Sequence, residues 1–207
     1  AGRRRDLMSL TREQIRSGWV QKMAREAGHS MKVLTEEEVY EPGKGGAGTD
    51  IYYKGAWMLH TLRKLIGDDA FFRATRRLVY GRVDPRPGNF APRYGSTREF
   101  EALVREETGR DLGWFFDAYL RRAALPDLRI ERSADTLTLA WDAGAAFPMP
   151  IEVSVDGKVQ KVAMEGGRSS ISLPRDAHVV IDPDARVLRR SIAVEELQQW
   201  RKTQQGK

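Results

Sequence analysis

The 207-residue sequence contains no cysteine, which excludes disulfides, thiolate metal ligands and cysteine nucleophiles. It has no long uninterrupted apolar run, so neither a signal peptide nor a membrane-spanning segment is predicted. It also lacks the Gly-x-Ser-x-Gly motif, and therefore offers no serine nucleophile elbow. No two histidines stand at the His-x-x-x-His spacing that places two zinc ligands on one helix face; the three are His29, His60 and His178.

The chain begins at Ala1 rather than at a methionine. We expect it to be a processed product or a piece of a longer protein, so an export signal would be missing and the compartment stays undetermined. The net charge of +6 falls wholly in residues 1–124, while residues 125–207 are balanced. Because the basic residues alternate with acids and match no known nucleic-acid module, we predict a solvated helix surface and no nucleic-acid or membrane partner.

The segment Gly43–Gly48 contains a literal Gly-x-Gly-x-x-Gly. A dinucleotide site also needs a buried strand before this motif and a parallel strand after it. The preceding residues 32–41 are too acidic for that strand, and the next element is helical, so we predict a mobile loop and no bound cofactor. The acidic run Glu36–Glu38 is interpreted as the first turn of a helix, with cation binding as the lesser alternative.

Residues 1–125 are predicted to be helical. Capping boxes at Thr11, Thr35 and Ser96 each begin a helix, and Asp111 is expected to cap the last one. Glycines at 67, 81 and 109 fit helix ends, and Asp68 is expected to cap the helix after Gly67. The proline-rich stretch 82–95 fits a loop. The residues expected in the core are Leu59, Leu62, Leu112, Phe115, Phe116 and Leu120.

The hydrophobic period changes from helical to alternating after Pro126. Alternating segments predict six or seven short strands, near 128–130, 137–141, 151–155, 159–164, 171–173, 179–181 and 186–190. Asp156-Gly157 lies between two of them and predicts a hairpin turn. The fold class is therefore α+β: a helical domain over 1–125, then a small Ig-like antiparallel β-sandwich domain over 126–207. Residues 193–202 are expected to form a terminal helix or a frayed tail.

One run carries most of the functional information, from Thr49 to Arg63, where a glycine-rich loop ends and an amphipathic helix begins. Spacings of four and three place five residues on one helix face, namely Tyr52, Ala56, Leu59, Leu62 and Ile66. Tyr52 stands at the loop–helix junction, where a phenol can point into a cleft. The alternative, that the rings of Tyr52 and Tyr53 pack into the core, stays open.

The order Tyr52-x-Lys54-Gly55, a small residue, then Leu59-x-x-Leu62 resembles the zinc aminopeptidases of the aminopeptidase N type (gluzincins). Later matches are Phe100-x-x-Leu103, Gly109 to Leu112, Phe115-Phe116 and a leucine-proline exit, followed by a strand-rich end. The resemblance implies that Tyr52 stabilises the transition state of peptide hydrolysis. It also implies a zinc held by His-Glu-x-x-His and a Gly-x-Met-Glu-Asn segment that binds the substrate amine, and this sequence contains neither motif.

We therefore expect the C-terminal part of a zinc-dependent aminopeptidase, with Tyr52 as its catalytic contribution and structural roles for Lys54 and Gly55. This chain alone is expected to hold no metal or cofactor and to be inactive. Zinc and the peptide substrate belong to the full-length parent, whose remaining catalytic domain would pack on the helical half. The alternative is a non-catalytic helical-plus-sandwich interaction module. Substrate side-chain preference and oligomeric state do not follow from the sequence.

Overall fold

The computed structural model describes residues 50–91, 93–122 and 124–190, with side chains from Lys54 onward. Several predictions lie outside these residues: the helices beginning at Thr11 and Thr35, the glycine-rich loop 43–48, the interpretation of Glu36–Glu38, and the terminal helix or tail at 193–202. Within the described ranges, no helix is both long and apolar enough to cross a membrane.

The helical half contains α1 (Asp50–Ile66), α2 (Asp68–Tyr80), α3 (Thr97–Thr108) and α4 (Gly113–Phe116), and α4 continues into a π-helical turn at Asp117–Arg121. The helix ends predicted at Gly67, Gly81, Ser96 and Gly109 are confirmed. Asp111 does not cap α4, because Leu112 is the N-cap residue; the Asp111 carboxylate accepts from the Gly113 N–H at 3.0 Å. The Ser96 hydroxyl accepts from the Glu99 N–H at 3.1 Å, and Gly81 and Gly109 end their helices in the left-handed region, with φ of 70° and 65°. Asp68 does not cap α2. It is the first residue of that helix, and its carboxylate pairs with Arg63 instead.

The described residues between α2 and α3, 81–91 and 93–96, have no regular secondary structure, as the prolines of this stretch predict. Side chains fix its path instead. Arg82 donates to the Asn89 carbonyl at 2.9 Å, and the Asn89 side chain bonds the Arg86 N–H and the Asp84 carbonyl. These bonds supply the backbone partners that a helix or strand would otherwise provide.

Between residues 124 and 190 the structure describes six strands, namely β1 (Asp127–Arg132), β2 (Thr136–Asp142), β3 (Ile151–Val155), β4 (Lys158–Val162), β5 (Arg168–Ser172) and β6 (Val179–Ile181). They form two antiparallel three-stranded sheets, ordered β1-β2-β5 and β4-β3-β6. Asp156 and Gly157 join β3 to β4 with φ of 49° and 81°, and Val155 pairs with Lys158. Two positive φ values at the turn confirm the predicted hairpin. The α+β class is likewise confirmed.

The strand predicted at 186–190 is wrong. Its backbone N–H groups have partners other than a neighbouring strand. The Asp182 carboxylate accepts from the N–H groups of Arg186 and Val187, at 2.8 and 3.0 Å. The Leu188 N–H donates to the Thr61 hydroxyl at 2.9 Å, and the Arg190 N–H donates to the Pro126 carbonyl. The hydrophobic pattern of residues 186–190 therefore reflects side-chain burial and does not indicate pairing within a sheet.

The core of the helical half confirms most of the predicted residues. Leu62, Leu112, Phe115 and Phe116 are at most 3% exposed, and Leu120 is half-buried. Leu59 is 37% exposed, so its predicted burial is wrong. The buried face of α1 is rotated about the helix axis relative to the predicted face, because it includes the polar residues Lys54 and Thr61. Its buried side chains from Lys54 onward are Lys54, Met58, Thr61, Leu62 and Leu65.

Four residues from the strand-bearing half complete the helical core: Phe147, Met149, Val187 and Leu188. A second core contains residues of both sheets, among them Leu128, Leu137 and Leu139 from the first and Ile151 and Val153 from the second. The predicted boundary near residue 125 is therefore crossed by shared packing, although the chain does change there from helices to strands.

Candidate functional site

The residue singled out by the sequence, Tyr52, is the third residue of α1. Its backbone belongs to the described part of the chain and its side chain does not, so its catalytic role stays a prediction. What the structure describes is the framework that holds this end of α1. That framework begins two residues later, at Lys54.

The Lys54 ammonium is buried, with the residue 1% exposed, and donates to the Arg122 carbonyl at 2.9 Å. Arg122 directly follows the π-helical turn, and its guanidinium donates to the Ala143 carbonyl in the segment after β2. A buried ammonium is costly unless it is hydrogen-bonded, so this contact fixes where the side chain lies. The first turns of α1 are thereby joined to the exit of the helical half and, through Arg122, to the strand region.

A cavity of about 210 Å³ lies beside Arg122. Its wall combines the rings of Trp114 and Phe147 with the Asp117 carboxylate, the Arg122 guanidinium and four alanines. Asp117 accepts from Arg121 at 2.7 Å, and Arg122 donates to a backbone carbonyl. Both charged groups already have structural partners, so the described contacts give no acid–base pair for catalysis.

His60 lies half-buried on α1, with its ring 6.0 Å from the Trp57 ring in an edge arrangement. Burial lowers the pKa of His60, and the positive charges of Lys64, Arg63 and Arg186 lower it further. The imidazole is therefore neutral at neutral pH. The ring contact fits the interpretation of His60 as a packing residue better than a role as metal ligand.

Sequence reasoning missed a polar contact at the centre of the molecule. Both backbone polar groups of Leu188 meet buried side chains: its N–H donates to Thr61 at 2.9 Å, and its carbonyl accepts from the Tyr119 hydroxyl at 2.6 Å. Burial, and secondarily the Asp182 carboxylate, raises the pKa of Tyr119 well above its usual value. The available signal was a threonine and a tyrosine inside otherwise apolar helical stripes.

A second missed cluster surrounds Asp182, which is buried. Burial raises the pKa of its carboxyl, whereas the hydrogen bonds that the carboxylate accepts from two backbone N–H groups lower this pKa. Arg186 pairs with Glu152, and with Asp184 at 3.0 Å. These bonds order the turn after β6 and bring Val187 and Leu188 to the helical core.

The described residues do not fit a zinc site. From residue 50 to residue 190, with 92 and 123 left aside, no three His, Asp or Glu side chains stand close enough together to hold a metal ion. A zinc of the kind that the sequence resemblance implies would therefore need ligands from elsewhere. No chemical step through such an ion follows from these residues.

No protein-family model matches the chain, and no curated protein matches it in sequence. Among solved structures, it is similar to the crystal structure of Legionella pneumophila aminopeptidase A in complex with aspartic acid. The TM-score is 0.51 at 14% sequence identity, and the similarity covers 69% of this chain and 18% of that chain. At this identity the likeness shows the fold alone. The chain thus shares the fold of part of an aminopeptidase and spans under a fifth of that protein's length.

Proposed function

We propose that this chain is the C-terminal portion of a zinc-dependent aminopeptidase, which removes N-terminal residues from peptides. In this proposal, residues 1–125 close the catalytic domain and residues 126–207 form a small Ig-like β-sandwich. The fold similarity to an aminopeptidase supports it, as does the order of helices before strands. The mixed core, with side chains from both sheets, supports a sandwich.

Tyr52 is the residue through which the chain contributes to catalysis. An unperturbed phenol has a pKa near ~10, so the hydroxyl is a protonated donor at neutral pH. It donates a hydrogen bond to the oxyanion of the tetrahedral intermediate, where negative charge develops during peptide hydrolysis. Charge that appears only in the transition state is stabilised selectively, and this raises kcat.

The observation that carries this proposal is the register of α1. Position 52 falls on the same helix face as Ala56 and Leu59, which are both exposed, while the opposite face is buried from Lys54 to Leu65. This register supports the proposal that position 52 borders the catalytic cleft, although Leu62, at the edge of the same predicted face, is buried. The buried Lys54 contact holds the same end of the helix.

The rest of the full-length aminopeptidase supplies the catalytic groups that the described residues lack. Zinc and its ligands, and the groups that bind the substrate amine, come from the remaining catalytic domain, which packs on the helical half. The exposed Ala56 and Leu59 are on the face that this domain would cover. On its own, the 207-residue chain binds no zinc and hydrolyses no aminoacyl chromogenic substrate. Elemental analysis after dialysis against a weak chelator tests the first statement.

The decisive experiment compares Tyr52→Phe with Tyr53→Phe in the longer protein that contains this chain. Removing one oxyanion donor typically costs about 10²–10³ in rate, so Tyr52→Phe should lower kcat by that factor and leave KM nearly unchanged. Tyr53→Phe is the matched control and should stay within a few-fold. Equal losses in both variants would refute the assignment. A longer protein without zinc or peptidase activity would favour the non-catalytic interaction module.

A further inference from the structure

The cavity beside Arg122 lies between the helical half and the strand-bearing half of the chain, and small-molecule sites often form at such junctions. One wall is the π-helical turn with Trp114 before it, and the other is formed by the segment 143–147 that follows β2. Turns of π-helix are rare and occur frequently at functional sites. At about 210 Å³, the cavity is smaller than the sites of about 300–1,000 Å³ that hold drug-sized ligands. Its size therefore fits a small molecule better than a folded peptide.

The guanidinium of Arg122 has one side that is not used by the fold. Its Nη1 donates to the Ala143 carbonyl, which restrains the orientation of the group. Its Nε and Nη2 form no hydrogen bond with another described residue, and both atoms remain accessible to solvent. Gly144 leaves room for the guanidinium, because a Cβ at that position would lie 3.0 Å from Nη1. The Nε–Nη2 side of Arg122 is therefore restrained and open to a ligand.

The Nε–Nη2 side of an arginine has the geometry that a carboxylate requires. Its two N–H groups are parallel and match the two carboxylate oxygens, so the contact is both strong and directional. This molecule contains one such pair, since Arg63 donates through Nε and Nη2 to the Asp68 carboxylate at 2.9 and 2.7 Å. A carboxylate in the cavity would meet the same two donors on Arg122.

The remaining wall of the cavity defines the body of such a ligand. The rings of Trp114 and Phe147, whose centroids are 5.2 Å apart in an edge arrangement, provide apolar surface together with four alanines. This surface favours an aromatic or aliphatic body. Asp117 places a negative charge in the same wall, so a ligand with two negative charges, such as phosphate or a dicarboxylate, is disfavoured.

We propose that this cavity binds a small monocarboxylate with an aromatic or aliphatic body. The carboxylate accepts hydrogen bonds from Nε and Nη2 of Arg122, and the body packs against Trp114 and Phe147. Arg122 thus selects the carboxylate, the rings select the apolar body, and Asp117 rejects a second negative charge. The proposal is independent of the peptidase function, because it involves neither Tyr52 nor zinc.

Titration of the 207-residue chain with 3-phenylpropanoate tests the proposal, with the indole N–H signals followed by nitrogen-15 NMR. We expect a saturable shift of the Trp114 indole signal, which the variant Trp114→Phe identifies because it lacks that signal. The neutral analogue 3-phenylpropanamide has the same body and should bind at least about tenfold more weakly, because its hydrogen bonds to Arg122 are not charge-assisted on both sides. Inorganic phosphate at the same concentration should leave the Trp114 signal unshifted.

Variants of Arg122 test the contact itself. Arg122→Met should weaken the binding of 3-phenylpropanoate at least about tenfold and leave the binding of the amide nearly unchanged. Arg122→Lys keeps the positive charge without the planar pair of donors, so it should also bind 3-phenylpropanoate more weakly than the parent chain. Arg98→Met is the matched control, because Arg98 is exposed on α3 and does not line the cavity. Far-ultraviolet circular dichroism verifies that each variant is folded.

Several outcomes would overturn the proposal. Equal affinity for the acid and the amide would exclude carboxylate recognition, and this comparison uses the parent chain alone. The absence of a saturable shift at millimolar 3-phenylpropanoate would exclude the site. A phosphate-induced shift of the Trp114 signal as large as that caused by 3-phenylpropanoate would indicate a general anion site. Binding by Arg122→Lys as tight as that of the parent chain would refute the two-bond contact with Nε and Nη2.

Discussion

Removal of one hydroxyl, in the variant Tyr119→Phe, tests whether the Leu188 contact holds the molecule together. Tyr119 is fully buried, and its hydroxyl donates to the Leu188 carbonyl at 2.6 Å. Its ring packs against Phe115 at 4.7 Å and Phe147 at 5.8 Å between centroids. Phenylalanine keeps these ring contacts, so the substitution removes only the hydrogen bond.

The expected loss of stability depends on the buried Leu188 carbonyl, which remains in the core of the variant. The Leu188 carbonyl stays buried and loses its Tyr119 partner, and a stranded buried acceptor costs about 1–3 kcal/mol. No cavity larger than one oxygen atom forms, so the packing penalty is small. We therefore expect Tyr119→Phe to lower the free energy of unfolding by about 1–3 kcal/mol. For a chain of this size, each kcal/mol corresponds to a fall in Tm of about 2–4 °C.

Urea denaturation followed by circular dichroism measures this loss, with thermal scans as a second reading. Tyr80→Phe is the matched control, because Tyr80 contacts the Phe90 ring at 4.7 Å and its hydroxyl has no hydrogen bond among the described residues. It should change the unfolding free energy by less than about 0.5 kcal/mol. The reasoning fails if Tyr119→Phe is as stable as the parent chain, or if Tyr80→Phe is destabilised equally.

Further variants probe the same framework. Thr61→Val strands the Leu188 N–H and should cost about 1–3 kcal/mol. Combined with Tyr119→Phe it should be non-additive by at least about 0.5 kcal/mol in a denaturation cycle, since both side chains bond the backbone of one residue, Leu188. Because burial raises the pKa of Tyr119, the phenol ionises at lower pH in the unfolded chain than in the folded one. Its contribution to stability is therefore complete below pH ~10, and the stability gap to Tyr119→Phe should narrow as the pH rises above that value. Gly109→Ala should cost about 1 kcal/mol by urea denaturation, since Gly109 ends α3 at a φ of 65°; an unchanged midpoint would contradict that reading.

The parts of the fold that depend on local chemistry were predictable. Ser96 and Gly109 delimit α3 through a hydroxyl acceptor and a left-handed φ, which are properties of those residues themselves. The Asp156-Gly157 turn is equally local. Alternation located β1 to β6 because one face of each sheet is buried, but it does not reveal which strands pair.

The errors arose where polar side chains are buried. A hydrophobicity pattern for α1 assigns Leu59 to the core and passes over Lys54 and Thr61. Those two residues are buried because partners about 68 and 127 positions away in sequence satisfy them. The Thr61 bond to Leu188, together with the Asp182 carboxylate and the Pro126 carbonyl, also explains why residues 186–190 are not a strand. Only the folded chain brings those partners together, which is why the sequence did not predict the contacts that hold the first turns of α1.

The long separation between Thr61 and Leu188 has a consequence for synthesis on the ribosome. Leu188 is made 127 residues after Thr61, which takes about 6–25 s at typical elongation rates of about 5–20 residues per second. During that interval the helices have emerged while the last residues of their own core do not yet exist. Nascent α1 to α4 thus present unpaired apolar surface for seconds, which is the condition under which chaperones bind. A mutation that weakens the Leu188 contact should accordingly reduce soluble yield in the cell more than the change in equilibrium stability suggests.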